Sequence, residues 1–297
     1  MLNKTRVCKS FSRRAGLYDQ TSQLQQGIAR ELARQINIED PRCILDIGCG
    51  TGFLTKLLSA KYPEASIKAV DLSPGMIEQA RLKHPSIEFQ VGDAEALPYP
   101  DQAFDCIVSS TTYQWLTDLK KAFLESGRVL KGDGEFIFSM FGGRTLTELR
   151  ESYRQAFTAI HPYQTVPLHP FINYCDLLNI LSDYQIVSSK KEIILTSVPN
   201  LKTLLRQIKN WGAQSAHNDR LPGLGNRRLL ELTEQYYKEH YSIKTNDTKS
   251  KIQNPKSKES ALHGSKTPEL ITDNCQLTTN KLKVTWEIFY VKVRKKI

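Results

Sequence analysis

Paired cysteines, histidine clusters and long apolar runs are all missing from this 297-residue sequence, and each absence closes a class of function. The six cysteines (Cys8, Cys43, Cys49, Cys106, Cys175, Cys275) are scattered, with no C-x-x-C pair and no histidines at ligand spacing beside them. That pattern argues against a metal centre and fits a reducing cytoplasm. No stretch of 18 apolar residues occurs, so no membrane contact is expected, and the basic N-terminus (Lys4, Arg6, Lys9, Arg13, Arg14) lacks the apolar stretch of a secretory signal. A mitochondrial presequence is another reading of that segment. What remains is a chain with 40% hydrophobic and 24% charged residues, long enough for one large α/β domain or two ordinary ones. Its formal charge of +10 favours an anionic partner, whether nucleic acid, phosphorylated cofactor or acidic protein, without choosing among them.

Hydrophobic spacing organises the first half as alternating helices and strands. Leu24, Ile28, Leu32 and Ile36 mark a helix over 20–36, and Cys43 to Ile47 forms a short apolar run ending in a glycine turn. Phe53, Leu54, Leu57 and Leu58 then resume helical spacing, and the alternation continues to a strand over 135–140. Such a rhythm implies a mostly parallel sheet covered on both faces, with its ligands at the carboxyl ends of the strands. Beyond Phe141 come helices over 145–160, 171–181, 201–211 and 227–237 and a strand over 184–197, part of which is placed to cover that edge. Residues 242–281 contain no aromatic side chain and are expected to be disordered, whereas Val284 to Val291 alternates as a closing strand.

The most informative segment is Leu45-Asp46-Ile47-Gly48-Cys49-Gly50-Thr51-Gly52, between strand and helix. Glycine at three alternate positions allows a tight turn against which a ligand can lie, beside the free N–H groups of a helix. A dinucleotide fingerprint would need glycine where Phe53 stands, and a phosphate loop would need G-K-[S/T]. Asp71 ends the second strand, about 20 residues on, where an acid can accept both hydroxyls of a ribose. Asp93 ends the third. Taken singly, Asp71 reads equally well as a helix cap and Asp93 as a turn former.

Together these residues resemble motif I and its companions in the class I S-adenosylmethionine-dependent methyltransferases. The resemblance implies a Rossmann-like α/β fold with a seven-stranded, mostly parallel sheet, helices on both faces and a helical lid. Further segments narrow it: Phe11 to Tyr18-Asp19 followed by Gln25, Tyr113-Gln114-Trp115, Gly143-Arg144-Thr145-Leu146 and Lys209-Asn210-Trp211-Gly212-Ala213. These are similar to the malonyl-acyl-carrier-protein O-methyltransferases of biotin synthesis, the BioC family, and displace the presequence reading. Ser109-Ser110 stands where that family commonly has Ser-Asn, and the segment over 242–281 is foreign to its pattern.

The resemblance implies a helical cap over 1–40, a cofactor-binding core over 41–145, a lid region with one sheet strand over 146–240 and a last strand over 283–297, with the foreign segment, over 241–282, inserted before that strand. It implies S-adenosylmethionine as cofactor, held by Gln25, Asp46, Gly48, Gly50, Gly52, Asp71, Leu72, Met76, Asp93, Ala94 and Ser109. The implied partner is malonyl-acyl carrier protein, an acidic protein steered by a basic rim to which Arg206, Lys209, Arg220, Arg227 and Arg228 are candidates. A malonyl carboxylate is ionised at neutral pH and needs orientation rather than a base. Arg144 is the candidate donor, since guanidinium fits a carboxylate bidentately, and Tyr18 is the second. Against these stand the plainer readings of Arg144 as a solvated loop residue, Tyr18 as a helix aromatic, Trp115 as core and Cys49 as a small filler. Other functions fit less well. A free small acid such as trans-aconitate is the rival substrate, and a non-catalytic methyltransferase-like assembly factor the rival class. Nucleic-acid methylation would want an acid, Asn or Ser followed by Pro-Pro-aromatic where Ser109 to Tyr113 stands, or a cysteine nucleophile.

Overall fold

The apolar runs assemble into one sheet. The computed structural model describes residues 3–166, 168–212, 227–243 and 281–296. Its strands are β1 (Cys43–Ile47), β2 (Ser66–Asp71), β3 (Glu88–Val91), β4 (Phe104–Ser110), β5 (Leu130–Phe141), β6 (Tyr184–Val198), β7 (Ser242–Ile243) and β8 (Lys281–Lys295). The helices are α1 (Lys4–Thr21), α2 (Gln23–Gln35), α3 (Phe53–Lys61), α4 (Pro74–Lys83), α5 (Leu119–Val129), α6 (Thr147–Ile160), α7 (Tyr174–Ile180), α8 (Leu201–Asn210) and α9 (Arg227–Tyr241). Seven strands lie in the order β3-β2-β1-β4-β5-β8-β6, and the two-residue β7 pairs with β8 off that path, an eighth strand that the sequence did not suggest. β1 to β5 pair in parallel, while β8 runs antiparallel between β5 and β6.

Side chains of a strand alternate between faces, so Ile44 packs with Ile28, Leu32 and Leu58, whereas Leu45 and Ile47 join Phe136 and Phe138 on the other side. Both faces are apolar. That is why β1 reads as an unbroken hydrophobic run. Tyr113, Phe123, Phe136 and Phe138 stack with centroids 4.9 to 6.0 Å apart beneath α5. Strand order reverses between β1 and β4, so the loops leaving their carboxyl ends diverge and open a crevice there.

Several boundaries differ from the sequence expectation. The helix anticipated over 20–36 is two, with buried Ser22 at the break (φ −101°, ψ 33°) and the apolar stripe confined to α2. Gln26 accounts for the break locally, its side-chain amide donating to the Asp19 carbonyl and to Ser22 Oγ. The helix anticipated from 171 starts at Tyr174, because the Asn173 side chain accepts from Asp176 N as an N-cap, and it ends in a short 3₁₀ turn over Leu181–Asp183. The final strand begins at Lys281 and includes residues assigned from sequence to the insertion. Of that insertion, residues 244–280 lie outside the described residues.

Ser242 and Ile243 pair with Leu282 and Lys281 in antiparallel register, so Ile243 and Lys281 stand opposite each other. Replacing residues 244–280 by Asn-Gly should therefore close a two-residue hairpin and leave a cooperative melt within about 4 °C of the full chain, the shift that 1 kcal/mol produces in a domain of this size. Loss of the cooperative transition would show that the segment is needed for the fold.

Candidate active site

At the β1/β4 crevice the chain turns through three left-handed glycines, Gly48 (φ 73°), Gly50 (φ 55°) and Gly52 (φ 86°). The turn is held from all sides. Gly48 N and Cys49 N donate to the Val70 carbonyl at 2.7 and 3.1 Å, and Thr112 Oγ1 donates to the Gly48 carbonyl at 3.2 Å. A side chain at Gly48 would collide with Thr112, whereas at Gly50 it would meet nothing within 4 Å, because Gly50 faces an open cavity. Burial drives the Cys49 thiol pKa well up, with the Asp71 and Asp46 charges adding to it, which suits a filler and not a nucleophile.

Three carboxylates stand at successive strand ends. Asp71 accepts from Gly50 N at 2.9 Å and from Ser73 N at 2.8 Å, joining β2 to the glycine turn and to the start of α4. Asp93 accepts from Glu95 N at 2.9 Å and pairs with Lys4 Nζ at 2.6 Å. Both Asp71 and Asp93 line the cavity, together with Gly48, Gly50, Leu72, Met76 and Ala94. Asp46 does not. It lies beneath the turn, with Oδ2 accepting from Thr55 Oγ1 at 2.6 Å and a buried Oδ1 that has no hydrogen-bond partner among the described residues.

Helix α1 covers this cavity. Val7, Phe11 and Tyr18 recur on one face of it and line the space opposite the glycine turn. Asp19 pins its last turn, accepting from Thr51 Oγ1 at 2.5 Å and pairing with Lys83 at 2.6 Å. Gly75 permits the close approach, since a side chain there would strike the Ser12 carbonyl. Burial, then the Asp71 and Asp19 charges, push the Tyr18 phenol pKa up, so it stays a hydrogen-bond donor at neutral pH.

A second cavity of about 740 Å³ abuts the first, and Phe11, Tyr18, Thr111 and Trp115 line both. It opens under α6, α8 and α9. Its described lining is mostly apolar and carries four cations, Arg150, Lys202, Arg206 and Lys209, with no carboxylate. Gln25 lies here and not beside the glycine turn.

Arg144 is a correction. Its side chain is exposed and lines neither cavity, because the turn carrying it is stitched to β8: Arg144 N donates to Glu287 Oε2 at 2.9 Å and Gly142 N to the Glu287 carbonyl at 2.8 Å. Arg150, not singled out from sequence, faces the second cavity instead. Ser109 is also displaced from its expected place; it is buried, its hydroxyl donates to the Ile47 carbonyl at 2.7 Å, and Ser110, Thr111 and Thr112 line the first cavity in its stead. Gly52 caps α3 and does not line the cavity. Of the anticipated basic rim, Arg206 and Lys209 line the second cavity, Arg227 and Arg228 do not, and Arg220 lies outside the described residues. The residues missed from sequence (Lys4, Val7, Thr111, Arg150, His169) share no local motif. Only the Val7, Phe11, Tyr18 spacing offered a signal.

This sheet order, with a glycine turn at the reversal and acids ending β2 and β3, defines a class I methyltransferase. Residues 45–138 match the methyltransferase domain family. The chain is 35% identical over 248 residues to the malonyl-[acyl-carrier protein] O-methyltransferase of Geobacter sulfurreducens, covering 81% of this chain and 93% of that protein. It is 34% identical over 244 residues to the biotin biosynthesis bifunctional protein BioHC of Saccharophagus degradans, covering 80% of this chain and 43% of that protein. The YcgJ protein of Bacillus subtilis shares the fold at a TM-score of 0.55 and 16% identity, over 91% of this chain and 99% of that one. The chain belongs to the malonyl-[acyl-carrier protein] O-methyltransferase family, whose fold implies S-adenosylmethionine as cofactor. Among the described residues no helix is long and apolar enough to cross a membrane, and no group of His, Cys, Asp and Glu is placed to hold a metal.

Burial raises the Asp46 pKa to about 7 against the Thr55 hydrogen bond, with the Asp71 charge adding to the rise. The folded chain thus keeps a proton that the unfolded chain has lost. The stability so gained is full below about pH 4 and is lost as pH rises through about 7. Relative to Asp46→Asn, the wild type should lose roughly 2–4 kcal/mol of unfolding free energy between about pH 4.5 and 7.5 in urea titrations. A difference that does not change with pH would mean that Asp46 ionises normally in the folded chain.

Proposed function

We propose that the protein transfers a methyl group from S-adenosylmethionine to the free carboxylate of malonyl-acyl carrier protein, giving the methyl ester that primes pimeloyl and biotin synthesis. The observation that carries this reading is the pair of abutting cavities of opposite charge. One presents Asp71 and Asp93 beside the glycine turn, and the other presents four cations, with Phe11, Tyr18, Thr111 and Trp115 between them. The name of the relative at 35% identity supports the same substrate, and that of the relative at 34% supports the same pathway.

The residues present suit the cofactor. Gly50 leaves the space that a side chain would fill, Asp71 is placed for ribose hydroxyls and Asp93 for an adenine amine, and the unpartnered Asp46 oxygen beneath the turn suits a nearby cationic group. Lys4 at Asp93 is no obstacle, since both side chains are about one-third exposed and such pairs are worth only about 0–1 kcal/mol. When bound, the cofactor supplies a methyl group on a cationic sulfur; the carboxylate oxygen takes it, the two charges cancel, and no proton moves.

The protein's task is therefore placement and exclusion of water. Tyr18, which lines both cavities, offers its phenol O–H to the oxygen that does not react. Phe11 meets Trp115 edge-on at 5.7 Å and closes the apolar wall around the transfer point. Lys202, Arg206 and Lys209 repeat along the exposed edge of α8 at the mouth of the second cavity, where an acidic carrier protein would dock. Esterification removes the distal charge, so enzymes with apolar acyl tunnels can extend the chain.

Incubation with methyl-labelled S-adenosylmethionine and malonyl carrier protein should place a base-labile label on the carrier. Label confined to free acids such as trans-aconitate, or to RNA, would refute the reading; cofactor binding without turnover on any acceptor would favour a non-catalytic role. Tyr18→Phe should lower kcat roughly 10- to 100-fold, as loss of a hydrogen bond to a charged group does, while cofactor affinity by calorimetry changes less than about threefold.

A further inference from the structure

We propose that Arg150 and Tyr153, one turn apart on α6, form the receptor for the substrate's free carboxylate, binding the anion and letting go of the neutral ester. This rests on the carboxyl-methyl-transfer reading above and assigns the group that recognises the acyl end.

Polar atoms buried in a protein almost always have a partner, and those without one point to a ligand. Two such atoms, among the described residues, belong to side chains that line the same cavity from the same helix: Arg150 Nε and the hydroxyl of Tyr153, a residue 6% exposed. The structural duties of Arg150 are few. Its Nη1 donates to the Gly143 carbonyl at 2.6 Å and its guanidinium lies over the Phe171 ring at 5.6 Å. Among the described residues it makes no ion pair, whereas Arg154, a turn further on, is paired with Glu151 at 2.8 Å. Burial and the neighbouring Arg154 depress the Arg150 pKa, which an anion beside it would reverse. Burial likewise raises the Tyr153 phenol pKa, keeping it a donor.

The cavity specifies what the anion is attached to. Apart from its cations the described lining is dominated by apolar and aromatic side chains, so the ligand is an anionic head on an uncharged body, as a carboxyl-ended acyl thioester is. A continuous ring wall joins this receptor to the boundary between the cavities, with Trp115 to His169 at 5.1 Å and His169 to Phe171 at 4.5 Å. Guanidinium and phenol together offer donors to one carboxylate oxygen or both without taking its negative charge away. After methylation the head is neutral, and the charge-assisted contacts that held it are gone. Product release follows from the chemistry of the step.

The test compares binding of malonyl carrier protein and acetyl carrier protein, which differ in the terminal carboxylate, to the full chain saturated with S-adenosylhomocysteine. The wild type should bind the malonyl form more tightly, by roughly 10- to 100-fold, the range for a hydrogen-bonded charge. Arg150→Gln should erase the preference and raise Kd for malonyl carrier protein, Arg150→Lys should restore part of it, and Tyr153→Phe should reduce it severalfold. Arg154→Gln should leave it unchanged. Cofactor affinity should stay within about threefold in all four, confirming folded protein. Undiminished malonyl preference in folded Arg150→Gln, or no preference in the wild type, overturns the proposal. Because binding and not turnover is read, the result stands apart from the labelling experiment: failure of methyl transfer to the carrier would refute the function, and failure of the charge preference would refute the receptor.

Discussion

Everything at the carboxyl edge of the sheet depends on the Asp71 carboxylate. With one oxygen on Gly50 N and the other on Ser73 N, it fixes the glycine turn after β1 and the entry to α4 relative to one another. Its own burial raises its pKa, and the two backbone N–H groups oppose that rise, so the carboxylate is tolerated where a ligand with hydroxyl groups can share it. The same two contacts set the separation between the turn and α4, and so the width of the cleft that α1 must close.

α1 closes it by contacts that are individually modest and spread along its length. Lys4 reaches Asp93 and Glu95, Ser10 Oγ donates to the Gly212 carbonyl at 2.8 Å, Ser12 and Ser73 share a hydrogen bond of 2.7 Å, and Asp19 holds Thr51. Partly exposed ion pairs of this kind are worth about 1 kcal/mol or less. Because Phe11 and Tyr18 line both cavities, the helix that covers the first also forms part of the wall of the second.

Charge divides the two halves of the site as the reaction requires. Asp71 and Asp93, the latter paired with Lys4, line the cavity beside the glycine turn, and Arg150, Lys202, Arg206 and Lys209 line the other, whose described lining has no carboxylate. Each cavity keeps its complement of charge apart from the other by the Phe11, Trp115 and Tyr18 side chains. The low polarity of that wall strengthens interactions across it.

Local features were legible in the sequence because local physics decides them. The β1 run, the glycine turn with its left-handed backbone, the acids ending β2 and β3 and the α2 stripe follow from periodicity and from what glycine alone allows. The position of Arg144 did not follow, because it depends on Glu287, 143 residues away, whose carboxylate captures the Arg144 amide and turns that side chain outward. Leu146, held at φ 55° by a 2.7 Å bond from its N–H to the Thr285 carbonyl, then sets the start of α6 and carries Arg150 into the cavity. Composition and spacing thus determined that the chain has a covered parallel sheet with a ligand turn at its edge. Which arginine lines the second cavity was decided by β8 lying between β5 and β6, a pairing between distant segments that no short stretch of sequence encodes.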